Sequence, residues 1–361
     1  MSKYYFICGE ASGDLHASKL IDHLSALDDS SVFRGFGGDK MEEKGMQIIK
    51  HYKDLSFMGF YEVAKNIRTI IKNFSIVKKD ILQFSPDVLV LVDYPGFNMR
   101  MAKFAKQNHI KVVYYITPQV WAWKKNRVHS LKKYVDLLIP ILPFEPSFFS
   151  KNGLESVFYG HPLMDELKNK KQPRLDFEKK VIALLPGSRK QEISKILPVM
   201  MELVPMFDDY QFVIAGAPSI SQEFYRSLTN DSKIPISKNK TYEVLSSAKA
   251  ALVASGTATL EAAILNVPQV VCYKTSWFSF VLGKLLVKVK YISLVNLIAH
   301  KEIVRELIQS DLNVKLLADQ LNFILKKENE KSILKQYSDV IEKLGDNNSC
   351  KKVAQAIFDI V

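Results

Sequence analysis

The chain has 361 residues, more than one hydrophobic core usually serves, so two domains are expected. Apolar residues make up 47%, which excludes a disordered chain, and a formal charge of +12 points to polyanionic partners: nucleic acid, an anionic membrane surface or a phosphorylated substrate. The three cysteines, Cys8, Cys272 and Cys350, are far apart with no CxxC spacing, which excludes a disulfide framework and a zinc site and fits a reducing compartment.

No basic segment followed by an apolar core opens the chain, so no leader peptide is expected and residues 4–8 read directly as a buried strand. That strand runs through Gly9-Glu10-Ala11-Ser12-Gly13-Asp14 into an amphipathic helix. Gly9 and Gly13 admit conformations and close approaches that a side chain would block, and helix-start amides attract negative charge. The turn therefore predicts an anion or sugar pocket, with Glu10, Asp14 and His16 at its rim. Gly35-Phe36-Gly37-Gly38 fails the last glycine of a GxGxxG pattern.

From residue 60 to 79 a helical wheel places Phe60, Val63, Ala64, Ile67, Ile70, Ile71, Phe74 and Val77 on one side and Lys65, Arg68, Lys72 and Lys79 on a narrow opposing stripe. This is either a packed helix with a solvated face or a membrane-surface element, in which each basic residue near anionic lipid contributes about 1 kcal/mol. Phe57 and Met58, just ahead of it, are available to acyl chains. Residues 88–92 form a second buried strand, and Asp93 follows at its carboxyl end, where it serves as a general base or caps the next helix. Asn98 carries the same ambiguity. After the strand at 112–116, Trp121 and Trp123 stand among Lys124, Lys125, Arg127, His129, Lys132 and Lys133, a mixture that fits sugar stacking, phosphate binding or a membrane interface, while Trp121 fits a core position equally well. A short strand at 137–139 follows, and His161 comes close to a domain junction, as a cleft residue or a buried structural one.

Residues 165–180 turn polar, charged and proline-punctuated, which marks the interdomain linker. The pattern then restarts. A strand at 181–185 enters Pro186-Gly187-Ser188-Arg189, where a guanidinium beside free amides suits a diphosphate that gains charge as it leaves. After a strand at 212–215, the strand at 250–254 enters Ser255-Gly256-Thr257-Ala258-Thr259-Leu260-Glu261, offering amides and hydroxyls at a helix start and a carboxylate for ribose hydroxyls, although a capping pattern explains Thr257 as well. One more strand covers 269–273. The apolar stretch at 277–287 is interrupted by Lys284 and falls short of the roughly 20 residues a membrane span needs. Residues 349–361 carry Val353, Ala354, Ile357, Phe358 and Val361 at helical spacing.

Short apolar strands alternating with helices predict an α/β protein of two Rossmann-like, doubly wound parallel-sheet domains facing across a cleft, with ligands beyond the carboxyl ends of the strands. The expected divisions are 1–167, 168–345, and a terminal helix at 346–361 that packs back on the first domain. There is no Walker loop, no HExxH and no Asp-x-Asp, so no metal and no cofactor is expected, and departing phosphate charge would be met by Arg189, amides and a helix dipole.

The motifs Gly9-Glu10-Ala11-Ser12-Gly13-Asp14, Gly35-Phe36-Gly37-Gly38, Phe57-Met58-Gly59, Asp93-Tyr94-Pro95-Gly96-Phe97-Asn98, Val120-Trp121-Ala122-Trp123, Leu142-Pro143-Phe144-Glu145, Gly160-His161-Pro162, Leu185-Pro186-Gly187-Ser188-Arg189, Ser255-Gly256-Thr257 and Val295-Asn296-Leu297, in this order, closely resemble the lipid-A-disaccharide synthase family along essentially the whole chain. The resemblance implies an inverting, metal-independent glycosyltransferase of the two-Rossmann-domain (GT-B) type. UDP-2,3-diacylglucosamine would donate to 2,3-diacylglucosamine 1-phosphate, giving a β-1,6-linked disaccharide 1-phosphate and UDP for lipopolysaccharide assembly in a Gram-negative bacterium.

It implies Asp93 as the base on the acceptor 6-hydroxyl, with Gly187, Ser188, Arg189, Ser255, Gly256, Thr257, Glu261 and Asn296 around the nucleotide. Gly9, Glu10, Ser12, Gly13, Asp14, His16, Trp121 and His161 would then shape the acceptor side, and Phe57, Met58, Lys65, Arg68 and Lys72 would face the membrane. One departure is Gly96, where many relatives carry an acid after the proline. The resemblance also implies a cytoplasmic protein, peripheral on the anionic inner membrane, and a homodimer exchanging carboxyl-terminal domains. The nearest rivals are a UDP-N-acetylglucosamine 2-epimerase and another lipid-linked glycosyltransferase. A catalytically silent lipid-surface protein is a further reading, whereas a nucleic-acid-binding module lacks any recognised motif among its basic residues.

Overall fold

A computed structural model describes residues 1–55, 67–123, 126–168, 172–229, 233–277, 280–281 and 289–361. They form two compact units, Met1–Asp165 with Gly345–Val361, and Glu166–Leu344. The first unit holds β1 (Lys3–Cys8), β2 (Val32–Gly37), β3 (Gln47–His51), β4 (Val88–Val92), β5 (Lys111–Tyr115) and β6 (Leu137–Ile139) in the order β3-β2-β1-β4-β5-β6. The second holds β7 (Lys180–Leu185), β8 (Tyr210–Gly216), β9 (Ile236–Lys238), β10 (Ala248–Ala254), β11 (Gln269–Tyr273) and β12 (Glu306–Ile308) in the order β12-β11-β10-β7-β8-β9. Every pairing is parallel. The second sheet repeats the winding of the first, and the α/β, doubly wound class read from the sequence is borne out.

Residues 4–8 and all of β4 are fully buried, because helices cover both faces of the sheet. One face packs Ala17, Leu20, Ile21 and Leu24 of the helix Ala11–Leu27 together with Val353, Ala354 and Ile357 of the last helix, Ser349–Asp359. That last helix is held at its start by a residue far away in sequence: the Asp165 carboxylate accepts from the Ser349 and Cys350 amides at 2.9 and 2.7 Å. The carboxylate satisfies helix-start donors and favours the positive end of the dipole. Ile357 is fully buried. Ile357→Ala is expected to cost about 2–5 kcal/mol, seen as a lower thermal midpoint by circular dichroism; an unchanged midpoint would mean that the last helix does not contribute to this core.

Four strands are not announced by apolar runs: β2, β3, β9 and β12. Three of them are sheet edges, and β9 and β12 have only three residues each, as edge strands commonly do. β2 carries a cation and two glycines in six residues. The Arg34 guanidinium is tolerated there because Asp80 takes both its Nη2 and its Nε, at 2.6 and 3.0 Å, and accepts from the Tyr5 hydroxyl at 2.9 Å. Of the basic amphipathic segment, the structure describes the helix Ile67–Phe84, which buries Asn73, Val77, Asp80 and Ile81. Arg68 and Lys72 are exposed, and Ile71, placed on the apolar side by the wheel, is 61% exposed beside them. Phe57, Met58 and Lys65 lie outside the described residues. Among the described residues no helix is long and apolar enough to cross a membrane.

Candidate active site

Each sheet reverses its winding once, between β1 and β4 in the first unit and between β7 and β10 in the second. In such sheets ligands bind beyond the carboxyl ends of the strands at the reversal. The four turns singled out in the sequence leave the strands there: Gly9–Asp14 after β1, Asp93 after β4, Gly187–Arg189 after β7 and Ser255–Thr257 after β10.

In the first unit Asp93 and Tyr94 both adopt left-handed backbone, with φ of 50° and 49°. Non-glycine residues pay about 1–3 kcal/mol each for such conformations, which persist where surrounding structure over-determines them. The surroundings do so here. The Asp93 carbonyl accepts from Asn98 Nδ2 at 2.7 Å and from the Tyr114 hydroxyl at 2.8 Å, and the Asp93 amide donates to the Tyr115 carbonyl at 3.1 Å. Asn98 is therefore the clamp of the Asp93 turn rather than a ligand group. Burial pushes the Asp93 carboxyl above its ordinary value, while the Tyr94 amide lowers it. A carboxylate so poised binds a proton more readily than a solvated one, the property a general base needs. The Tyr94 ring lies over Gly9, where an added Cβ would come within 2.4 Å of it, so the turns after β1 and β4 close on each other only with glycine at that position.

Of the residues that the sequence reading placed at a pocket rim, Asp14 has a structural duty. Asp14 is buried, and its carboxylate accepts from the Gly38, Lys40 and Met41 amides at 2.8, 3.1 and 3.2 Å, capping the helix Asp39–Glu42. His16 and His161 are also buried, and desolvation holds them neutral at physiological pH, lowered to about 4 and about 3. His161 Nδ1 accepts from the Leu163 amide at 3.2 Å, which leaves the proton on Nε2. His16 Nδ1 is buried without a hydrogen-bond partner. Ser12 is exposed, and Glu10 is half-buried at the start of its helix.

Trp121 is half-buried and donates from Nε1 to Glu145 Oε1 at 3.0 Å, with its ring edge-on to Phe144 at 4.9 Å. The fully buried Glu145 also accepts from Thr117 Oγ1 and the Ile141 and Leu142 amides, and desolvation outweighs these donors to push it up to about 7. Glu145 thus ties the loops after β5 and β6 to the indole. Only the motif Leu142-Pro143-Phe144-Glu145 signalled it in sequence.

The second unit has a cavity of about 300 Å³ at its reversal point, lined from β7 by Gly187 and Ser188, from β10 by Ser255, Gly256 and Thr257, and by Glu192, Thr241 and Glu261. Gly187 and Gly256 take φ of 122° and 153°, backbone conformations that favour glycine. Burial, and secondarily the Glu166 charge, push Glu261 up to about 7. Ser255 is less available than its position suggested, because its amide donates to the Cys272 carbonyl at 3.1 Å and its hydroxyl to the Ile292 carbonyl at 2.9 Å. Arg189 is exposed at the N-cap of the helix Lys190–Met201, beside the cavity turn but not lining the cavity.

Asn296 does not line the cavity. It is fully buried, with its Nδ2 donating to the Val304 carbonyl and Glu306 Oε1 at 2.8 and 2.9 Å and its Oδ1 accepting from the Ile303 and Val304 amides at 2.8 and 3.0 Å. All four hydrogen-bonding positions of the carboxamide are used, so it braces the loop before β12. Thr241 and Glu192 are cavity residues that the sequence reading missed; Glu192 carried one signal, an acid at the third position of a helix entered from a tight turn.

Two doubly wound units, one with a cavity at its reversal point between two glycine turns, are the architecture of two-Rossmann-domain proteins. A family model described as Lipid-A-disaccharide synthetase matches residues 4–360, and the chain belongs to this family. It is accordingly an enzyme of lipid A disaccharide synthesis, a glycosyltransferase with a UDP-sugar donor and a glycosyl acceptor. It is 34% identical over 369 residues to a lipid-A-disaccharide synthase from Trichlorobacter lovleyi, covering 98% of this chain and 96% of that one. Among solved structures it resembles a UDP-GlcNAc 2-epimerase from Neisseria meningitidis bound to UDP-GlcNAc, at 13% identity and a TM-score of 0.69, covering 99% of this chain and 100% of that one. It also resembles the calicheamicin glycosyltransferase CalG4, at 14% identity and a TM-score of 0.63, covering 100% and 98%. At such identities these two likenesses concern the fold alone.

Proposed function

We propose that the chain transfers the sugar of UDP-2,3-diacylglucosamine to the 6-hydroxyl of 2,3-diacylglucosamine 1-phosphate in one in-line displacement. The acceptor oxygen forms a bond to the anomeric carbon as that carbon's bond to the diphosphate oxygen breaks, which inverts its configuration. The hydroxyl proton goes to the Asp93 carboxylate, and UDP leaves carrying the added negative charge. The amides of the Gly187–Ser188 and Gly256–Thr257 turns, with Arg189 beside them, meet that charge, and Glu261 accepts from the ribose hydroxyls. Asn98, Asn296 and Glu145 act as positioning residues. The observation that carries this reading is the cavity lined by the Gly187–Ser188 and Ser255–Thr257 turns at the second reversal point in a chain of this family.

Incubation with both acylated substrates and a chelator, followed by mass spectrometry, is expected to give the disaccharide 1-phosphate and one equivalent of UDP. An epimerised UDP-sugar, or UDP released without a disaccharide, would contradict the reading.

Membrane attachment is the second part of the proposal. Arg68, Lys72 and the exposed Ile71 of the helix Ile67–Phe84 place cations beside an apolar side chain, a pattern that suits the cytoplasmic face of an anionic inner membrane. Arg68→Glu with Lys72→Glu is expected to weaken binding to vesicles containing phosphatidylglycerol by about 10-fold or more, at about 1 kcal/mol per removed cation with added repulsion. Unchanged co-sedimentation would assign attachment to another surface. A homodimer exchanging carboxyl-terminal domains belongs to the same proposal, and mass measurement in solution tests it.

A further inference from the structure

Glu192 follows Arg189 by three residues, and its side chain turns back over the tight turn after β7. Its Oε2 accepts from the Ser188 amide at 3.2 Å. A Cβ built on Gly187 would lie 2.2 Å from the same Oε2, so the carboxylate fills the space that glycine leaves. Gly187, Ser188 and Glu192 all line the cavity. An amide of the kind that holds a phosphate oxygen therefore already holds a carboxylate oxygen, an anion supplied by the protein itself.

A glutamate at the third helical position often caps the helix by reaching back to a backbone amide. Capping alone would make charge at this position unimportant for a ligand. Here the captured Ser188 amide belongs to the residue before the N-cap, and Ser188 and Glu192 both line the cavity, so capping and ligand binding meet at the same donor. Two anions on one donor in a partly desolvated site repel each other, and the carboxylate must move when a diphosphate arrives.

We propose that Glu192 is an internal competitor for the donor's diphosphate, seated on the Ser188 amide in the empty cavity, displaced by a nucleoside diphosphate, and returning to hasten UDP release after transfer. This rests on the nucleotide reading of the cavity given above. Calorimetric titration of the full chain and its Glu192→Gln and Glu192→Asp variants with UDP and with uridine tests it. Glu192→Gln keeps an acceptor for the amide but removes the charge, and UDP is expected to bind about fivefold more tightly, with uridine unchanged. Glu192→Asp withdraws the carboxylate by one methylene and should give a smaller gain in the same direction; it carries the test alone should the first variant fail to fold. UDP affinity equal to or below the parent's in folded variants would overturn the inference, as would an equal gain for uridine. A parent chain that binds no UDP would remove the nucleotide reading and this inference with it.

Discussion

Asp93→Asn is expected to lower kcat by about 10²- to 10⁴-fold, the range a positioned general base contributes, with UDP affinity and thermal midpoint near those of the parent. The expectation rests on geometry that the substitution preserves. Asparagine is among the residues that tolerate left-handed backbone, and the bonds from Asn98, Tyr114 and Tyr115 that hold the turn are made to the Asp93 main chain. Proton acceptance is what disappears. The pH dependence has a determined sign. The base must be ionised to act, and its pKa in the folded chain is raised, so kcat/KM falls as pH drops through that value, beginning at higher pH than for an ordinary carboxylate. The acid limb should vanish in Asp93→Asn. A variant with near-parental kcat, or one that keeps the limb, would remove Asp93 from the proton transfer.

Arg189→Ala is expected to lower kcat by about 10²- to 10³-fold, the loss typical when one preorganised group facing developing charge is removed. Arg189 is exposed at the start of the helix Lys190–Met201, so the fold should be retained, as a thermal melt would show. We propose that this exposed cation beside the turn closes on the diphosphate when one is present. Arg189→Lys should recover activity partially, because a lysine replaces the charge but not the two-pronged hydrogen bonding of a guanidinium. Complete recovery would reduce the role to net charge, and parental rates in Arg189→Ala would exclude the residue from leaving-group stabilisation.

The strands that the sequence displayed are the apolar ones, central in their sheets except for β6 at an edge. Residues 88–92 and 250–254 read as uninterrupted apolar runs because helices cover both sheet faces there, whereas β2, β9 and β12 are short or carry charge. The turns around Gly9, Asp93, Gly187 and Gly256 were legible for a related reason. A strand followed by small residues and a helix start is a local pattern, and the doubly wound topology puts such turns at the reversal points.

What a polar side chain faces is not local. Asp14 looks like a rim carboxylate until Gly38, Lys40 and Met41 come to it from beyond β2. Asn296 looks like a ligand group until Val304 and Glu306 occupy it. Glu192 was hidden by the opposite effect: its partner is only four residues away, and nothing in that spacing tells an ordinary helix cap from a carboxylate turned into a cavity.

A crystal structure of the full chain with UDP bound tests the central claim most directly. The diphosphate is expected at the turns after β7 and β10, with oxygens about 3 Å from the Gly256 and Thr257 amides, the Glu192 carboxylate moved off the Ser188 amide, and the ribose against Glu261. UDP bound in the first unit, or bound to the second away from Gly187 and Gly256, would contradict it.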